Sequence, residues 1–139
     1  MKPILVSHLV KSEDLNHHTT LFAGRMAEWF VEASFIAAAA AHGKPEEIVC
    51  LKMHGLKFQE PARKGDILLI TTRLVGAGNT SLTIHGMVQR HGEEKILVEG
   101  YVTFVCVDSD GHKKPHGLIL PAAADAFEVT LRATAATLK

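Results

Sequence analysis

Residues 21–42, LFAGRMAEWFVEASFIAAAAAH, form one long helical run with no charged residue after Glu32. Its apolar positions Phe22, Met26, Trp29, Phe30, Ala33, Ile36, Ala37 and Ala40 recur with the 3.6-residue period of a helix. Thr19 or Thr20 stands where an N-terminal cap is expected. Gly43 and Pro45 end the run, since glycine accepts the left-handed conformation that closes helices and proline cannot continue one. A helix apolar on nearly every side has to be enclosed. The remaining polar stripe, Arg25, Glu28 and Glu32, is narrow, so the rest of the chain is expected to wrap around the helix.

The flanking sequence can do this. Residues 3–10 read as a strand. Residues 48–58, 66–76, 80–91 and 95–108 are rich in Val, Ile, Leu and Thr and are separated by turn residues. Short turns between the last three imply an antiparallel meander. Residues 121–137 are Ala-rich and read as a terminal helix. The expected architecture is α+β: an antiparallel sheet wrapped around one long central helix, the hotdog fold, with residues 1–139 as a single domain.

Composition excludes several functional classes. Lys+Arg and Asp+Glu are equal at 15 each, so no global charge points to nucleic acid or to a membrane surface. The two cysteines, Cys50 and Cys106, sit in apolar, β-branched runs and do not make a disulfide framework. The N-terminal apolar patch Ile4–Val6 is too short for a signal peptide or a membrane span, which makes the cytoplasm the expected location.

The chemistry concentrates between Asp14 and Ser34, DLNHHTTLFAGRMAEWFVEAS, where a polar loop runs into the N-terminus of the helix. Such a terminus offers free N–H groups and a partial positive charge, and Gly24 lets a ligand approach the backbone. Together these suit an oxyanion, such as the one formed when a thioester carbonyl is attacked. Glu32 follows on a helix expected to be buried, and a buried carboxylate needs a reason. The plainer reading makes Arg25, Glu28 and Glu32 a salt-bridged stripe at a subunit contact. His17 and His18 are adjacent and no Cys or carboxylate set completes a ligand group, so no metal is expected. Arg63, Lys64 and Arg90 could meet phosphates, against the plainer reading of solvated loop charge.

The segment resembles the signature of the acyl-CoA thioesterases that include the brain-type cytosolic acyl-CoA hydrolases and their small bacterial relatives. That signature runs Asp-x-Asn, then Phe-Gly-Gly, then Asp-Glu on the central helix. Here it reads Asp14, Leu15, Asn16, then Phe22, Ala23, Gly24, then Val31, Glu32. Phe58 to Asp66, FQEPARKGD, is similar to the family's Phe-x-x-Pro-x-x-x-Gly-Asp. Gly78, Asn79, Thr80 and Ser81 resemble its Gly-Arg-Thr-Ser turn, and Thr103 to Asp108, TFVCVD, its Thr-Phe-Val-x-Val-Asp strand. The likeness spans roughly residues 4 to 110. Two departures stand out. The family's catalytic Asp falls on Val31, and its first Gly is Ala23.

The resemblance implies an acyl-CoA hydrolase, without cofactor, working as a homodimer or a multiple of dimers in which the loop of one subunit faces the helix of another. It implies that Asn16 orients the carbonyl or the water, against a plain role as a turn residue. It implies that the Gly24 amide, with that of Ala23, holds the oxyanion, and that Glu32 is the base or nucleophile. Coenzyme A phosphates are expected near Arg63, Lys64, Arg90 and the Asn79, Thr80, Ser81 turn. The rival readings are a non-catalytic acyl-CoA-binding protein, favoured by Val31, and an enoyl-CoA hydratase, disfavoured because Thr19 stands where that class has a His.

Overall fold

A computed structural model describes residues 2–138. Strand β1 (Ile4–Leu9) leads through a short 3-10 turn to helix α1 (Ala23–His42). Strands β2 (Ile48–Phe58), β3 (Ile67–Ala77), β4 (Ser81–Arg90) and β5 (Ile96–Cys106) follow, and helix α2 (Ala126–Ala135) closes the chain. The five strands form one antiparallel sheet in the order β1-β3-β4-β5-β2. α1 lies on one face of this sheet, which is the hotdog arrangement.

Alternation along the strands builds the core. Leu68, Ile70, Ile84, Val88, Val102 and Phe104 are buried with Met26, Phe30, Ala33 and Ala37 of α1. Phe30 is fully buried, which removes about 1.5–3 kcal/mol worth of apolar surface from water. Gly86 makes room for it: a Cβ there would sit 2.6 Å from Phe30 Cζ. The small residues Ala33, Ala37 and Ala38 let α1 lie close to the strands. Gly43 stops the helix in the left-handed conformation, φ 84°, and its N–H donates to Ala39 O.

Two expectations about α1 are corrected. The N-cap is Phe22, not Thr19 or Thr20, and it makes no side-chain capping bond. The preceding loop is already closed on itself through Asn16, which leaves Thr20 and Thr19 two and three residues short of the N-cap position. Nor is α1 enclosed on all sides. Glu28, Glu32, Ile36 and Ala40, four residues apart, are exposed, because a five-stranded sheet covers only one side of a helix in a single chain.

β2 is an outer edge and carries exposed Val49, Leu51, Met53 and Phe58. Its pairing with β5 is broken by irregularities between Cys50 and Lys52 and between Met53 and Leu56. Gly55, at φ 99°, leans its carbonyl over Gly100, where a Cβ would lie 2.6 Å from that oxygen. Cys50 is exposed, while Cys106 is buried. Both are free thiols. No helix of the described residues is long and apolar enough to cross a membrane.

Candidate active site

The loop before α1 is organised by Asn16. Its Oδ1 accepts the N–H groups of His18 (2.8 Å) and Thr20 (3.2 Å), and its Nδ2 donates to Thr20 Oγ1 (3.1 Å). Its backbone N–H donates to Thr20 O at 2.8 Å. The expected turn role is therefore real. An amide nitrogen carries two N–H groups, so one remains for a ligand. The closure forces Thr19 to φ 62°, which costs a non-glycine residue about 1–3 kcal/mol. Asp14 ties the loop to the helix. It is buried, accepts the Lys11 N–H at 2.9 Å and lies 3.7 Å from Arg25 Nε.

With no side-chain cap at Phe22, the first-turn amides of Ala23, Gly24 and Arg25 have no acceptor within the helix. This is the helix end at which the sequence led to the expectation of an oxyanion. Gly24 has a second reason to lack a side chain: a Cβ there would lie 2.6 Å from the Phe22 ring.

A cavity of about 300 Å³ opens beside this terminus. Asn16 and Ala23 line its polar end; Met26, Leu68, Val88 and Leu97 line its apolar interior. Its mouth holds Gln59 and Glu60. Glu60 is paired with Lys95 and lies 4.0 Å from Arg90 Nη1. It is the one carboxylate lining this cavity among the described residues. Sequence reasoning passed over it, although it stands just before Pro61 in FQEPARKGD. The only available signal was that an acidic residue shares a motif with a strand end.

The remaining candidates fall into three places. Arg63 and Lys64 are exposed beside the cavity mouth, and Arg63 is bridged to Thr20 of the loop. Arg90 is committed within the chain. Its Nε donates to Asp66 Oδ2 at 2.9 Å and its Nη2 to Pro61 O at 3.0 Å. Burial pushes the Asp66 carboxyl up, but the Arg63 N–H and the Arg90 guanidinium outweigh it and hold the group below its usual value. Glu32 is exposed, contrary to the expected burial, and is absent from the cavity lining. It lies roughly 14 Å along the helix from Ala23, at 1.5 Å per residue. Val31, at the position of the family Asp, is half-buried.

Asn79, Thr80 and Ser81 lie at the opposite end of the sheet. The Arg63–Lys64 turn precedes β3 and the Asn79–Ser81 turn follows it. Eleven extended residues separate them by roughly 33 Å at about 3.3 Å per residue. One chain does not bring its two expected phosphate turns together.

Two groups of side chains could hold a metal among the described residues: His42, Glu47 and Cys106, and Asp108, Asp110 and His112. Neither includes His17 or His18, whose rings are exposed 4.0 Å apart in the loop. The first group lies at the far end of α1, where Glu47 already binds His42 at 2.7 Å and Lys114 at 2.5 Å.

The chain is 27% identical over 126 residues to the uncharacterized acyl-CoA thioester hydrolase YkhA of Bacillus subtilis, covering 88% of this chain and 71% of that one. An acyl-CoA hydrolase of Staphylococcus aureus, solved with butyryl coenzyme A, superposes with a TM-score of 0.84 at 25% identity, covering 96% of this chain and 79% of that one. An apo-hexameric acyl-CoA thioesterase superposes with a TM-score of 0.86 at 25% identity, covering 96% and 86%. The family model of the thioesterase superfamily matches residues 18–97, which span the end of the loop, α1 and most of the cavity lining, with Asn16 and Val98 just outside. The chain belongs to the thioesterase superfamily.

Proposed function

We propose that this protein hydrolyses acyl-CoA thioesters to the free acid and coenzyme A, as a single hotdog domain spanning residues 1–139, in the lipid metabolism of the cytoplasm. The observation that carries this reading is the apolar cavity ending at the uncapped N-terminus of α1, with Asn16 beside it. An acyl chain fits the apolar interior and places its carbonyl at the amides. Water adds to that carbonyl, the oxyanion is held by the Gly24 and Ala23 N–H groups, and its collapse expels the coenzyme A thiolate, which takes up the proton. Asn16 orients the carbonyl or the water through its remaining N–H.

In this reading Glu32 is the general base and serves a neighbouring copy. It is exposed on the open stripe of α1, where a base for a partner's cavity has to stand. The same argument applies to substrate binding. The turns bearing Arg63 and Lys64 and those bearing Asn79, Thr80 and Ser81 are too far apart in one chain. An antiparallel pairing of two copies brings the end of one sheet beside the opposite end of the other. The exposed apolar edge β2 offers the surface for it. The protein is therefore proposed to act as a dimer or a multiple of dimers.

Val31 in place of the family Asp supports a second reading, a protein that binds acyl-CoA without turnover. A thiol-release screen against short, medium, long and aryl acyl-CoAs decides between them. Release of free thiol in proportion to protein supports hydrolysis. Saturable binding with no release supports the second reading.

A further inference from the structure

The cavity beside the N-terminus of α1 is anchored at one end and blind at the other. A thioester carbonyl held at the Ala23 and Gly24 amides fixes the start of the acyl chain at the Asn16 and Ala23 end. From there the interior is walled by Met26, Leu68, Val88, Leu97 and Val98. All are buried, with Val98 the most open at 3%. The space does not continue past Met26 and Val88. Phe30, one turn further along α1 on the same face, is fully buried and packs against Gly86, which precedes Val88 by two residues on the same face of β4. This contact plugs the far end.

The mouth gives a long tail no second route. Glu60 stands there, ion-paired with Lys95 and 4.0 Å from Arg90 Nη1. An alkyl tail folded back over this rim would take charges out of water. A chain fixed at its carbonyl and stopped by packing is therefore measured against the cavity. The volume of about 300 Å³ holds about ten groups the size of a water or a methylene, at ~30 Å³ each.

We propose that the substrates are medium-chain acyl groups, straight chains of about six to ten carbons, and that Met26 and Ala62 set the upper limit. This rests on the reading of the cavity as the acyl site. An acetyl group leaves most of the apolar interior unfilled, and a palmitoyl group exceeds it. Met26 lies one turn along α1 from Ala23, with its unbranched side chain against the acyl space. Ala62 is buried in the lining and ends at Cβ, so a larger side chain there would occupy the same space. Met26→Ala removes Cγ, Sδ and Cε from the wall. Ala62→Leu adds Cγ, Cδ1 and Cδ2. The two changes should move the limit by about three carbons in opposite directions.

The test is calorimetric titration of the full chain with 2-oxoalkyl thioethers of coenzyme A, in which a methylene separates the sulfur from the carbonyl. They keep the carbonyl but have no thioester bond to hydrolyse. Across a series from acetyl-length to palmitoyl-length chains, affinity is expected to rise about fourfold per added carbon and to stop rising near about ten carbons. The break should come about three carbons earlier in Ala62→Leu and about three later in Met26→Ala. Thermal melts show which variants are folded, and one folded variant suffices. Affinity that is flat across the series or climbs steadily to the longest chain, or a break that stays in place in a folded variant, overturns the proposal. Thiol release from the matching acyl-CoAs is measured separately. A break in affinity without release removes hydrolysis and keeps the length limit. Release without a break removes the limit and keeps hydrolysis.

Discussion

Glu32 and Asn16 carry the reaction proposed here, one on a helix and one in a loop. Glu32→Gln should lower turnover by roughly a hundredfold to ten-thousandfold, the scale of a positioned acid–base group, without lowering the melting temperature of so exposed a site. Glu28→Gln, one turn earlier on the same stripe, should cost much less. Val31→Asp should hold or raise activity. Thiol release and thermal melts on all three variants check this series. Glu47 tests the electrostatics at the other end of α1. Hydrogen bonds from Lys114 and then His42 lower its carboxyl from 4.5 to about 2. A lowered carboxylate stabilises the fold above its unfolded value and loses that effect as pH falls toward the folded one. Glu47→Gln should therefore melt below the parent at neutral pH, and the gap should close between about pH 4.5 and pH 2. A gap independent of pH would contradict the ion-pair account. At this scale the polar loop at Asn16 and the helix start at Ala23 and Gly24 were legible, because loop polarity and a glycine at a helix start are local signals. Glu60 was not, because only the packing of the β2–β3 connection beside α1 turns it into a cavity residue.

α1 is the element on which the fold turns, and its two glycine contacts differ in a way that can be measured. At Gly86 an added Cβ would meet Phe30, which is fully buried and has nowhere to go. Gly86→Ala should destabilise by about 1–3 kcal/mol, lowering the melting temperature by roughly 2–12 °C. At Gly24 the added Cβ would meet Phe22, whose side chain is exposed and can swing outward. Gly24→Ala should leave the melt nearly unchanged while lowering turnover. Equal melting losses would contradict this packing argument. The boundaries of α1 and the strands were readable to within a few residues, since period and turn residues are both local. The open stripe of α1 was not readable. Periodicity says that residues are apolar, but the number of strands available to cover them is a property of the whole sheet.

The molecule as a whole has two features that a single chain leaves unresolved. Its exposed edge β2 carries apolar side chains, with Leu51 55% exposed, and Glu32 and the Asn79–Ser81 turn lie apart from its cavity. Pairing of two copies accounts for both. Sequence suggested assembly through resemblance and through a long apolar helix in a short chain, but not the separation of the turns, which follows from strand order and length in space. The central claim is a thioester site shared between copies, and subunit complementation tests it most directly. Asn16→Ala and Glu32→Gln, each expected to be nearly inactive, are prepared separately, confirmed to be folded, then unfolded together and refolded as a mixture. In a mixed dimer one of the two sites receives both intact residues, so random pairing should restore about a quarter of the parent acyl-CoA hydrolysis. A mixture as inactive as its two components, with mixed dimers shown to be present, would contradict the shared site.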